Sequence, residues 1–271
     1  MIGNSKDITV VYVYLKNFDI FYTITENKCL SYPLYDRNIP KEDAGMKRSE
    51  INAAIKHMEQ LAQKYHFALP PFCHWTPAQW QEKNSEYNEI RDNMLGWDIT
   101  DYGSGDFHKI GFALITLRNG NQNNPAYKKV YAEKLLMLEE GQHSPMHFHW
   151  KKSEDIINRG GGTLLIHVYN DDGKGGLDTT DVLVNSDGRS YYVPAGTAIE
   201  LHPGESITLW PHQYHDFDVK PGTGAVLIGE VSMCNDDNTD NRFYEKVGRF
   251  PEIEEDEEPY RLLCFEYPEG R

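Results

Sequence analysis

At 271 residues the chain is long enough for one large domain or two small ones, each with a full hydrophobic core. A formal charge of -15 repels phosphate backbones and anionic lipid, which argues against nucleic acid and membrane surfaces as partners and leaves a small neutral solute. Cys29, Cys73, Cys234 and Cys264 lack CxxC or paired spacing, the pattern of reduced thiols in a cytosol, and no apolar run reaches the roughly 20 residues of a bilayer span.

Residues 1–45 are rich in Ile, Tyr, Asn, Lys and Phe, and "ITVVYVYL" and "IFYTIT" predict two short strands without obvious partners. A helix follows. Ser49 is placed to cap it, and Ile51, Ile55, Met58, Leu61 and Tyr65 share one face up to the break at "LPPF". Thr76 and Pro77 mark a second helix start, and a third helix is expected from Ser85 to a terminal Gly96. From Gly111 the period changes to that of strands: "GFALITL", "KVYAEKLLML", "GTLLIHVYN", "DVLVN", "SYYVPAG", "SITLW", "HDFDV" and "AVLIGEVS", separated by turn residues. This is the pattern of antiparallel strands in a sandwich or small barrel. Beyond Ser232 the chain is polar and acidic, a segment expected to wrap over the mouth of the barrel.

The stretch "GQHSPMHFHWKKSEDIINRGG", residues 141–161, concentrates the chemistry. Alternate residues of a strand share a face, so His147 and His149 can address one metal from a rigid base. Glu154 lies an odd number of residues beyond His149, so the chain must bend between Trp150 and Ser153 for Lys152 and Glu154 to look inward. Two imidazoles and a carboxylate leave positions open for a fourth ligand and for substrate oxygens, and suit Mn, Fe, Ni, Co or Zn. The plain alternative, two solvated histidines on an edge strand, does not account for the flanking glycines. Gly141, His147, His149, Glu154 and Gly161 match the first cupin signature, so the stretch resembles a metal cupin, a family of antiparallel jelly-roll barrels with the metal inside.

A second cupin signature would add a histidine further on. "GESITLWPHQYHDFDV" offers both His212 and His215, and its shortened spacing does not choose between them. His202, His167 and His143 read more simply as loop, strand-face and turn residues.

Together with "MKRSEIN" from Met46, "FALPPFCHWTPAQW" from Phe67 and "GRFPEIEEDE" from Gly248, the histidine stretch resembles the D-lyxose ketol-isomerase family of cupins over nearly all of residues 46–271. The resemblance implies a mainly β fold, a cupin-type antiparallel jelly-roll barrel with N-terminal helices and a wrapping C-terminal tail. It implies a divalent metal, usually Mn2+, on His147, His149, Glu154 and His215, which prefers His215 over His212. A catalytic lysine maps to Lys152. A C-terminal acid joins the proton transfer; Glu254 is assigned to it, with Asp240 and Glu230 as alternatives. The implied reaction interconverts D-lyxose and D-xylulose, and D-mannose and D-fructose, through a cis-enediol, which needs a Lewis acid at two oxygens and a base. A cytoplasmic homodimer acting on a monosaccharide completes the expectation. A non-enzymatic sugar- or metal-binding cupin and a cupin dioxygenase are the competing classes; oxygen-free turnover of a sugar with manganese separates the isomerase from the latter.

The resemblance begins at Met46. Lys41-Glu42-Asp43 can be encoded AAG-GAG-GAY, which contains the ribosome-binding sequence AGGAGG two codons before Met46. Residues 1–45 are therefore expected to be an overextended reading frame, with a true N-terminal extension as the alternative, and residues 46–271 the isomerase domain.

Overall fold

The computed structural model describes residues 9–15, 18–25, 28–33, 45–237, 239–248 and 252–270. They fall into two compact units, Met1–Glu42 and Asp43–Arg271. The first holds β1 (Thr9–Leu15), β2 (Phe18–Thr25) and β3 (Lys28–Pro33), an antiparallel meander in which the two anticipated strands pair with each other and a third joins them.

The second unit opens with β4 (Met46–Lys47) and α1 (Arg48–Lys64), whose apolar face of Ile51, Ile55, Met58 and Leu61 is buried. Ser49 is not its cap: it lies in the first turn and bonds Asp256 through both N–H and hydroxyl, while Glu50 accepts from the Lys47 N–H. His66, at φ +57°, ends the helix before the prolines by letting the Phe67 N–H reach Ala62 O at 2.8 Å. Thr76 does cap α2 (Pro77–Trp80). The third helix is shorter than expected: a 3-10 turn at Ser85–Tyr87 leads into α3 (Asn88–Asp92). Met94, at φ +53°, closes it, and Gly96 instead begins β5 (Gly96–Thr100), a fully buried strand without the alternation that would reveal it.

The remaining strands are β6 (Phe112–Arg118), β7 (Tyr131–Leu138), β8 (Ser144–His149), β9 (Glu154–Gly161), β10 (Leu164–Asn170), β11 (Val182–Ser186), β12 (Arg189–Val193), β13 (Thr197–Leu201), β14 (Ser206–Leu209), β15 (Gln213–Val219), β16 (Val226–Met233), β17 (Asn241–Phe243) and β18 (Ile253–Glu254). They build a five-stranded sheet, β13-β10-β15-β8-β17, and an eight-stranded sheet, β12-β11-β14-β9-β16-β7-β6-β5. Between β7 and β16 the chain changes sheet at nearly every step, as in a jelly roll. The mainly β, antiparallel expectation holds, but the sheets do not close into a hydrogen-bonded barrel among the described residues. The crossing corners direct their N–H groups to loops and side chains and leave the ladders unjoined.

Strand alternation divides the eight-stranded sheet. Ile115, Leu135, Met137 and Leu227 face α1, while Leu114, Leu136, Leu138, Val226 and Ile228 face the five-stranded sheet with Ile166, Val168 and Phe217. The tail wraps as expected. β17 pairs with β8, β18 pairs with β4, and Arg48 ties α1 to Glu255 and Glu266.

Candidate metal centre and active site

At one end of the space between the sheets the inward positions become polar. His147 and His149 project from β8, and His215 projects from β15, where it is the register partner of His147. The ligand nitrogens of the three lie within 4.8 Å of one another. The chain leaves β8 after His149, turns at 150–153, and enters β9 at Glu154, so both Lys152 and Glu154 are buried and inward, as the spacing requires. The two signature glycines allow this path. Gly141 takes φ +86° in the turn before β8, and a Cβ on Gly161, at φ +104°, would lie 2.2 Å from Ala225 O.

Glu154 Oε1 lies 3.2 Å from His149 Nε2 and 3.2 Å from His215 Nε2. The second approach is short, yet it lacks the angle of a hydrogen bond, and His215 Nε2 is a buried nitrogen without a partner. His147 donates its Nδ1–H to Pro145 O at 2.8 Å and His215 donates its own to Gln213 O at 3.0 Å, which turns both Nε2 lone pairs inward. Lone pairs and a carboxylate oxygen therefore face one another. A cation among them resolves the repulsion, and this donor set fits a divalent transition metal. Burial, reinforced by His215 and His149, pushes the His147 imidazole well below its usual range, and burial with Lys152 lowers His149. Both shifts favour the neutral imidazole that a metal ligand must be. Burial alone would raise Glu154; Lys152 and His149 outweigh it and hold the carboxyl well below the usual range.

A chain of buried charges extends from this cluster. Lys152 Nζ lies 2.7 Å from Glu154 Oε2, 2.8 Å from Glu230 Oε1 and 3.3 Å from Asn235 Oδ1. Lys134 Nζ reaches the same Asn235 oxygen at 2.8 Å and Asp237 at 3.3 Å. Burial works against the Lys152 ammonium, but Glu154 and Glu230 more than offset it and raise its pKa. Lys134, Lys152, Glu154, Glu230 and Asp237 line a cavity whose other wall is aromatic, with Tyr102, Phe112, Phe217 and Phe243. The Phe243 ring centroid is 5.3 Å from that of His147.

His147, His149, Lys152, Glu154 and His215 thus come together. His212 does not: it sits in the turn before β15 at φ +64° and bonds Asp171. Glu254 is also elsewhere, exposed on β18, where parallel pairing to Lys47 of β4 holds it away from the cavity. Glu230, an alternative in the sequence, occupies the cavity instead, because β16 places it on the inward row with Val226 and Ile228. Asp240 accepts from the Lys151 and Lys152 N–H groups and is not a cavity residue. Sequence reasoning missed Lys134, whose signal is a charge at an inward position of the apolar run "YAEKLLML". It also missed Asn235 and Asp237, which look like ordinary polar tail residues.

Residues 46–267 match the family described as D-lyxose isomerase. The D-lyxose/D-mannose isomerase of Serratia proteamaculans is 47% identical over 223 residues, covering 82% of this chain and 98% of the relative. Its counterpart from Escherichia coli O157:H7 is 44% identical over 227 residues, covering 83% and 100%. Among solved structures, the L-ribose isomerase of Cellulomonas parahominis with L-psicose is similar with a TM-score of 0.52 at 13% identity, over 78% of this chain and 99% of that one. At that identity the likeness is one of fold.

Proposed function

This chain belongs to the D-lyxose isomerase family, and on that premise we propose that it interconverts D-lyxose with D-xylulose and D-mannose with D-fructose at the His147–His149–Glu154–His215 centre. The inward Nε2 lone pairs of His147 and His215, with Glu154 Oε1 3.2 Å from the second of them, are the observation that supports the assignment. These four residues would hold the metal, which we take to be Mn2+. When bound, it supplies Lewis-acid polarisation of the two adjacent sugar oxygens.

Lys152 and Glu230 do the rest. Glu230, gripped at Oε1 by Lys152 at 2.8 Å and by the Ser232 hydroxyl at 3.1 Å, takes the C2 proton of the aldose and returns it to C1. The O2 proton passes to O1 through the cis-enediol, so the sugar's composition is unchanged. Lys152 donates to a sugar oxygen as charge develops there. Tyr102, Phe112, Phe217 and Phe243 exclude water and offer apolar faces to the sugar's C–H groups. A proton-transfer carboxylate and an ammonium in the same cavity favour an enzyme over a passive binding module.

Among the described residues no helix is long and apolar enough to cross a membrane, and Cys73, Cys234 and Cys264 are thiols. We place the protein in the cytoplasm as a homodimer. Tyr192 and Leu183 stand opposite each other on β12 and β11, Tyr131 and Met233 on β7 and β16, and Trp210 follows β14 between them, all exposed on the outer face of the eight-stranded sheet. Such a row suits a self-complementary interface.

The test is turnover: pure protein with Mn2+ converts D-lyxose to D-xylulose and D-mannose to D-fructose, and thorough chelation abolishes both. Absence of ketose from either aldose, or activity that survives metal removal, overturns the reading. The Glu154→Gln protein loses Mn2+ on dialysis under conditions where the parent retains it.

A further inference from the structure

We propose, resting on the metal reading above, that Asp240 is a positioning residue that sets Glu154 and Lys152 together by clamping the corner that joins the two ligand strands. The corner at 150–153 has a demanding task. It must carry the chain from the five-stranded to the eight-stranded sheet and offset the alternation so that Glu154 faces the same space as His149. Its N–H groups have no ladder partner, and three in succession go to one residue. Trp150 N donates to Asp240 O at 3.0 Å, Lys151 N to Asp240 Oδ1 at 2.9 Å, and Lys152 N to Asp240 Oδ2 at 3.0 Å.

Two successive N–H groups on the two oxygens of one carboxylate form a small anion nest of charge-assisted bonds, stronger than neutral ones. Asp240 is buried, so those bonds replace its water. The residue is itself anchored: its N–H bonds Asp236 O at 3.0 Å, and the next residue, Asn241, begins the strand that pairs with β8 opposite His149. One side chain from the tail thus fixes the backbone from which Lys152 and, two residues on, Glu154 project. The substitution Asp240→Asn sets an amide N–H2 against one of the two donors; Asp240→Glu is one methylene too long for the nest. Both leave the cavity lining unchanged.

The experiment measures Mn2+ binding by the electron paramagnetic resonance of the free ion, in the full chain and in its D240N and D240E forms. Amide exchange of peptides spanning Lys151 and Lys152 is measured in the parent with and without Mn2+. The expected affinity loss in both variants is about 10–100-fold, the range typical of partners that orient metal ligands, with kcat falling more than the KM for the sugar. In the parent, Mn2+ slows exchange of the Lys151 and Lys152 amides by at least about tenfold, because the corner they clamp is linked to the bound ion. A residue that only stabilised the fold would lower Tm and leave Mn2+ affinity and the metal dependence of exchange unmoved. That result overturns the proposal, as do rates for these amides that Mn2+ does not change. If the parent itself binds no Mn2+, the metal reading fails and this inference falls with it. If the parent binds and D240N binds equally, this inference alone fails.

Discussion

Lys152 Nζ lies 2.8 Å from Glu230 Oε1, a buried ion pair between residues 78 positions apart that places a cation between the Glu154 and Glu230 carboxylates. Replacing Lys152 by Met removes the charge and keeps the volume, leaving two buried carboxylates facing each other. The expected cost is about 3–5 kcal/mol of stability, and a kcat reduced by at least about 100-fold for the lost donor. Mn2+ is still bound, because Glu154 and the three histidines are untouched. Thermal melts, metal titration and kinetics of K152M check the three parts separately; a kcat near that of the parent removes Lys152 from the mechanism.

The metal-free protein should lose stability on acidification through the imidazoles of half-buried His147 and buried His149. His147 and His149 are held below their usual range, so as pH falls the unfolded chain protonates first; their contribution is complete above about 6.5 and is lost below it. His167 has the opposite sign. Burial lowers it but Asp216 more than offsets this, so its contribution is present at low pH and lost as pH rises. The comparison is therefore between the parent and His147→Asn in metal-free melts from pH 8 to pH 5.5, where the parent's Tm should fall more steeply. Parallel curves would count against a His147 imidazole held below its usual range.

Tyr131, Leu183, Tyr192, Trp210 and Met233 should form the contact between two copies. Tyr192 is 70% exposed and Trp210 50%, and together the row offers a large part of the roughly 800 Å² per partner of a stable interface. Glutamates at Trp210 and Met233 put like charges across the two-fold axis and should convert a dimer to a 31.2 kDa monomer in sedimentation. A parent that already sediments as a monomer sinks the assignment.

A chain beginning at Met46 should fold and keep its activity. The family match starts at residue 46, and the buried apolar residues described in the second unit run from Met46 to Cys264. The proposal that residues 1–45 are an overextended reading frame is decided by mass spectrometry of the protein made from its own gene, where any peptide containing a residue before Met46 refutes it.

Local periodicities made much of this molecule legible from its sequence. The two-residue spacing of His147 and His149 puts them on one strand face, the odd offset of Glu154 demands a bend, and the 3.6-residue recurrence of Ile51, Ile55 and Met58 marks the buried face of α1. Each is a rule about neighbours along the chain, which a few residues obey whatever surrounds them. Only the tertiary structure decided which carboxylate stands beside Lys152. Glu254 sits in a recognisable motif, yet parallel pairing of β18 with β4 leaves it in solvent. Glu230 reaches the cavity because β16 lies between β7 and β9 in a register that faces it inward. Asp240 likewise looks like one acid among many until β17 sets it against the corner at 150–153. Sheet register and tail docking are sums over contacts far apart in sequence, so no short stretch encodes them, and it is packing that puts Glu230 in the cavity and leaves Glu254 outside it.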